Sequence, residues 1–352
     1  MRPWGRIVQV AFTYIGTIVG AGFASGQEIL QFFTQYGGIA TATIALATVL
    51  FIGFGIKLML LAQKTGARSY EDLNRTLFGP GIGEAFSLFL MIVLLGTAGV
   101  MLAGAGTLFA EQLGLSYQTG LWITLVLGYL VLSKGMHGIL AVNTVVVPFM
   151  LLFTAVVALS TWSLPNASNW LWLTSDYPLL QIWTAPLLYS AFNLATAQAV
   201  LVPLGTAIRD RGILIWGGVL GGAGIGLLLL AAHFALSAQM PGILQYEIPM
   251  GHIIRRLGAV VQFLYVLVIF GEIFTTFIAD VFGLILQIEQ RFRISRQAAL
   301  LGILALSYGL SLVGFRPLLS FLYPLFGMVS LLWLGWILVR NRTGTSDRLP
   351  PP

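Results

Sequence analysis

Ten apolar runs follow one another along this chain of 352 residues, at roughly 7–33, 38–62, 83–112, 117–133, 137–162, 180–205, 213–237, 256–288, 297–314 and 317–340. Most approach the length of about 20 residues that an α-helix needs to cross the hydrocarbon of a bilayer. In hydrocarbon every backbone N–H and C=O must be satisfied within the chain, so long apolar runs span as helices. The sequence therefore predicts an all-α polytopic membrane protein of ten transmembrane helices. Charged residues make up 9% of the chain, against about 25% in a soluble domain, which excludes a soluble globule. No soluble domain interrupts the runs, and 1–352 reads as a single transmembrane domain. Residues 341–352 are polar and end in three prolines, which predicts a disordered tail. The absence of cysteine excludes disulfides, thiolate metal sites and a cysteine nucleophile.

The formal charge is +6. It sits in short loops between apolar runs, which points to membrane orientation and not to nucleic acid. With the N-terminus inside, Arg255, Arg256 and Arg316 fall outside and every other lysine and arginine falls inside. The positive-inside rule thus predicts a multi-pass protein of the inner or plasma membrane with both termini cytoplasmic. Trp162, Trp170 and Trp172 fit an aromatic belt at the outer surface, and the outside loop 238–255 is expected to form a short helical lid.

The first run departs from a plain span. Between Thr13 and Phe33 it carries Gly16, Gly20, Gly22 and Gly26, followed by Gln27 and Glu28. An interior glycine costs a helix about 1 kcal/mol relative to alanine, and polar groups at this depth are expensive. One reading is a helix broken near Gly20–Gly26 whose freed backbone lines a cavity. The alternative is close packing through small residues. A break would leave carbonyls near Val19 suited to a cation and amides near Gly22 suited to a carboxylate.

A second stretch matches the first. Leu194-Ala-Thr-Ala-Gln-Ala-Val-Leu201 resembles Phe23-Ala-Ser-Gly-Gln-Glu-Ile-Leu30, a shift of 171 residues from Phe23 to Leu194. The same shift lays the first five spans on or near the last five. Two five-helix repeats, 7–162 and 180–340, follow, and an odd number of crossings per repeat makes the second inverted. Inverted repeats with discontinuous helices at the midplane are a recurrent plan of secondary transporters. The match predicts a second interruption near Ala191–Ala197.

Polar residues gather in two further spans. In the sixth, Tyr189, Ser190, Asn193, Thr196 and Gln198 are too dense for a lipid-facing helix; they form a site or bond neighbouring helices. In the eighth, Glu272, Thr275, Thr276 and Asp280 are spaced by three and four residues along one stripe. An intramembrane carboxylate such as Glu272 is either functional or a protonated structural acid. Asn143 and Thr144 of the fifth span suit packing hydrogen bonds. No phosphate-binding glycine loop, paired-cysteine zinc motif or GxSxG elbow is present, so an enzyme is not expected.

Gly16-Thr-Ile-Val-Gly-Ala-Gly22 resembles the broken first helix of the amino acid–polyamine–organocation superfamily and its relatives with the leucine-transporter fold. The longer string Gly20-Ala-Gly-Phe-Ala-Ser-Gly-Gln-Glu28 is similar to the YkvI-type family of amino-acid permeases within that group, and Tyr189-Ser-Ala-Phe-Asn193 resembles the unwound part of the sixth helix. The resemblance implies a cation-coupled symporter of a small amino acid or similar zwitterion, working by alternating access among membrane lipids. It implies substrate contacts at Gly20, Ala21, Gly22, Phe23, Tyr189, Phe192, Asn193 and Glu272, and a sodium ion held by Gly16, Val19, Thr275 and Thr276. Glu272 departs from the sodium-coupled pattern and leaves a proton as the other coupling ion. A permease-like receptor, as in spore-germination proteins, is the competing reading.

Overall fold

In the computed structural model the described residues are 3–246, 249–255, 258–292, 294–314, 326–333 and 335. They form α1 Pro3–Ile18, α2 Ala21–Ser25, α3 Gln27–Phe32, α4 Ala40–Thr65, α5 Tyr70–Phe78, α6 Pro80–Leu113, α7 Tyr117–Leu132, α8 Met136–Trp162, α9 Asn169–Trp172, α10 Leu179–Ala207, α11 Arg211–Ser237, α12 Pro249–Arg255, α13 Ala259–Phe292 and α14 Arg296–Ser311. Among the described residues there is no strand. Among the described residues six helices are long and apolar enough to cross a bilayer: α4 with the 3-10 turn before it, α6, α8, α10, α11 and α13; α7 is a shorter apolar helix. The expected tenth span, 317–340, lies mostly outside the described residues; the part that is described, 326–333, is helical. The tail 341–352 lies outside them entirely. In the loop expected to form a lid, the described residues hold α12 and a 3-10 turn at Gly242–Gln245.

The first span is interrupted twice. α1 stops at Ile18, α2 follows Gly20, and α2 and α3 meet at Gly26, whose φ of 85° is the left-handed conformation. The sixth span corrects the expectation: α10 runs through Ala191–Ala197 without a break. The physical reason is in its residues. Ala195, Ala197 and Ala199 are the strongest helix formers, and no glycine stands among them. The polar side chains bond their own helix: Asn193 Nδ2 donates to the Tyr189 carbonyl (2.9 Å), Thr196 Oγ1 to Phe192 (3.2 Å) and Gln198 Nε2 to Ala195 (3.1 Å).

Small residues bring helices together where lipid offers no hydrophobic drive. On α11, a Cβ at Gly221 would stand 2.7 Å from the Tyr14 ring, and one at Gly222 would stand 2.7 Å from the Ile52 backbone nitrogen. α11 therefore packs against α1 on one side and α4 on the other. Tyr14, fully buried, donates from its hydroxyl to the Phe51 carbonyl at 2.7 Å and ties α1 to α4. At one end of the bundle, Arg291 at the end of α13 bridges Glu84 of α6 (2.5 Å) and Glu71 of α5 (3.7 Å). Gln287 adds a hydrogen bond to Glu71 at 3.1 Å. These contacts hold the α5 connection against α6 and α13.

Candidate functional site

The interruption after α1 sets the geometry. Gly20 is extended (φ −129°, ψ −165°) and leads into α2. A Cβ here would lie 2.7 Å from Thr276 Oγ1, so α13 can approach only a glycine. The Thr276 hydroxyl also faces the Val19 carbonyl at 3.5 Å. Two of the residues expected to hold a cation, Val19 and Thr276, are thus neighbours. Thr275 is buried and its hydroxyl donates to the Glu272 carbonyl at 3.0 Å. Gly16 lies one turn back on α1, and a Cβ on it would overlap Asn143 Oδ1 of α8. Asn143 bonds the Ile139 carbonyl through Nδ2 at 3.0 Å, and its Oδ1 has no hydrogen-bond partner.

Beside the break lies a cavity of about 30 Å³. It collects Gly20, Thr276, Phe192 and Asn193 with three residues assigned no role from the sequence: Glu28, Thr97 and Asp280. Asp280 is 4% exposed and accepts a hydrogen bond from Thr97 Oγ1 at 2.6 Å. Glu28 is buried with its carboxylate against Gly22, close enough that a Cβ there would collide with it. The protein's own acid therefore occupies space beside the first turn of α2, where a substrate carboxylate was expected. Tyr189 is enclosed by the rings of Phe32, Phe33 and Phe51, at centroid distances of 5.4, 5.2 and 6.0 Å. Its hydroxyl is on the Glu28 side, and it does not line the cavity.

The eighth-span stripe divides. Glu272 and Phe23 line a second cavity of about 30 Å³, together with Ala24, Phe153, Met250 and Tyr265. Glu272 and Asp280 are eight residues apart, about 12 Å along the helix and about 80° around it. With that drift the two acids line different cavities. Ala21 opens α2.

Asp280 was legible as the next position of the stripe, one turn beyond Thr276. Glu28 was legible as an acid at membrane depth. Thr97 had no signal of its own. It stands in the small-residue stretch Gly96-Thr97-Ala98-Gly99 of α6, and only the fold brings it to Asp280.

No family model matches the chain. It is 37% identical over 341 residues to the uncharacterized membrane protein YkvI of Bacillus subtilis (strain 168), an alignment that covers 96% of each chain. It is 26% identical over 336 residues to the uncharacterized protein YyaD of the same organism, covering 96% of this chain and 97% of that one. Among solved structures, MhsT in complex with L-phenylalanine superposes with a TM-score of 0.69 at 16% identity, over 96% of this chain and 89% of that chain.

Proposed function

This chain belongs to the YkvI family of membrane proteins and has the leucine-transporter type of fold, and we propose that it is a secondary active transporter of a small amino acid or related zwitterion. The observation that carries this reading is the cavity at the α1–α2 break, where backbone freed from a helix, two buried carboxylates and an amide side chain converge. A broken helix beside a polar cavity is how secondary transporters build a midplane site. Glu28 and Asp280 suit the ammonium group of the solute, Asn193 offers an amide, and Phe192 an apolar wall. Gly22, Phe23 and Tyr189 shape the approach through α2 and Glu28. That MhsT was solved with L-phenylalanine supports an amino acid as the solute class. A cavity of about 30 Å³ holds a water or a bare ion, and an amino acid needs more room. The solute site must therefore open and close, as alternating access requires. In this reading the repeats 7–162 and 180–340 are inverted, both termini are cytoplasmic, and spans one, two, six and seven rock against three, four, eight and nine.

The coupling ion we favour is sodium. Hard cations take oxygen ligands, and the Val19 carbonyl and Thr276 hydroxyl supply two at the break. Gly16 and Thr275 stand on the same two helices to add more. A proton carried by Glu272 is the competing coupling. Uptake of labelled amino acids into proteoliposomes under a sodium gradient alone, then a pH gradient alone, tests both. Sodium-driven uptake supports the reading, and uptake under the pH gradient with no response to sodium moves the coupling to Glu272.

The unbroken α10 favours a second reading, a receptor that binds an amino acid and carries none. Saturable binding without uptake under either gradient would establish it.

A further inference from the structure

The second cavity, walled in part by Phe23 and Ala24 of α2, contains an acid that the central site does not use. Glu272 is 3% exposed, and its Oε2 has no hydrogen-bond partner. A buried carboxylate with nothing opposite it is strongly disfavoured. The acid within Coulombic range of it is Glu28, of the same sign, which worsens the imbalance. Among the described residues lining the cavity there is no lysine, arginine or histidine.

The walls point to the kind of cation that fits. Tyr265 stacks on Phe153 with centroids 5.4 Å apart and 26° between planes, and Phe23 closes the α2 side. The Tyr265 hydroxyl is already committed, donating to the Ala24 carbonyl at 3.2 Å. An alkali ion needs a shell of oxygens, and beside Glu272 and Tyr265 the only side-chain oxygen among the described residues lining this cavity is that of Thr154. An ammonium group needs one carboxylate, and aromatic faces attract it. The cavity, about 30 Å³, admits a head group and no more. Phe153 and Val268 are shared with a groove of about 470 Å³ between α8 and α13, walled by apolar residues including Phe149, Leu152, Leu264 and Leu267. These four are exposed on the outer face of the helices, where lipid lies.

We propose that Glu272 anchors a second ligand site, separate from the central cavity, that takes the protonated amine of an alkylamine while the alkyl chain lies in the α8–α13 groove. The carboxylate supplies the charge, Phe23, Phe153 and Tyr265 the aromatic walls, and the groove an apolar subsite reached from the membrane.

The test uses the full chain in lipid nanodiscs and reads the unfolding midpoint against rising methylammonium, butylammonium and hexylammonium, with hexanol and hexanoate as controls. The amines should stabilise saturably, more tightly with each added methylene, and the controls should not. Glu272→Gln keeps the shape and removes the charge, so apparent affinity for hexylammonium should fall about tenfold or more. Leu267→Ala shortens the groove wall and should weaken hexylammonium about threefold while leaving methylammonium unchanged. Should Glu272→Gln fail to fold, Phe153→Ala gives the same reading, with weaker binding expected of every amine. Equal stabilisation by hexanol and hexylammonium, no stabilisation by any amine, or unchanged affinity in Glu272→Gln or Phe153→Ala would overturn the proposal. Amino-acid uptake is read separately, so failure here leaves the central site standing, and the reverse.

Discussion

Phe23–Leu30 and Leu194–Leu201 resemble each other, sharing alanine, glutamine and leucine at three aligned places, yet the first is split between two short helices and the second is the middle of a 29-residue helix. Of the aligned pairs that differ, one bears on backbone conformation. Gly26 takes φ of 85° and separates α2 from α3; Ala197, its counterpart, is helical and fully buried in α10. An L-residue with a Cβ pays about 1–2 kcal/mol for the left-handed conformation, whereas alanine is the best helix former. The polar residues do not decide the matter. Ser25 bonds the Gly22 carbonyl at 3.0 Å and Thr196 bonds the Asn193 carbonyl at 3.1 Å, the same i−3 contact in both strings. Similar polar chemistry therefore does not open a backbone by itself, and Gly26 is where the two strings part.

The largest expected effect is at Gly22. Gly22→Leu must displace the Glu28 carboxylate, so amino-acid binding should be lost. Saturation binding on protein that still elutes as a monodisperse peak checks this, and normal affinity would place the site elsewhere. Next is Thr276→Ala, which removes the hydroxyl facing the Val19 carbonyl and leaves helix propensity intact or better. The sodium concentration for half-maximal uptake should rise about tenfold or more, one oxygen ligand being lost from a hard-cation site; Thr275→Ala should do less, its hydroxyl being turned to the Glu272 carbonyl. An unchanged sodium response in Thr276→Ala would remove sodium from the break. Gly26→Ala then tests the comparison directly. It should lower stability by about 1–2 kcal/mol through backbone strain, seen as a lower unfolding midpoint, and reduce uptake by disturbing the α2–α3 junction. The smallest effect belongs to Ala197→Gly, which should cost about 1 kcal/mol of helix stability and leave α10 continuous. If hydrogen exchange at Ala197 and its neighbours became as fast as at Gly26, one glycine alone would suffice to break the second string.

The architecture was legible because hydropathy is a long-range signal. Six of the ten apolar runs appear as spanning helices in nearly the expected places, and the glycines of the first run announced its break. The sixth span misled because its likeness to the first rests on side chains, while the break rests on backbone freedom. The site was half legible for a similar reason. Residues within one helix declare their neighbours by spacing, as Thr276 and Asp280 do. The pairing of Asp280 with Thr97 joins positions 183 residues apart, and no local pattern carries it. Glu272 was visible, but its separation from Asp280 depends on the slow rotation of a stripe read at intervals of four.

The two glycine rows of α11 have a mechanical consequence. Side chains that interlock resist sliding, since each step must lift one ridge over another. α11 offers α1 and α4 a surface stripped of ridges at Gly217, Gly221 and Gly224 on one side, and at Gly218, Gly222 and Gly226 on the other. Such a surface is a set of sockets: each glycine receives a side chain of the helix that faces it. Val10, Tyr14 and Ile15 of the helix that ends at the break fill the room those glycines leave, so a single added methyl would wedge the two helices apart.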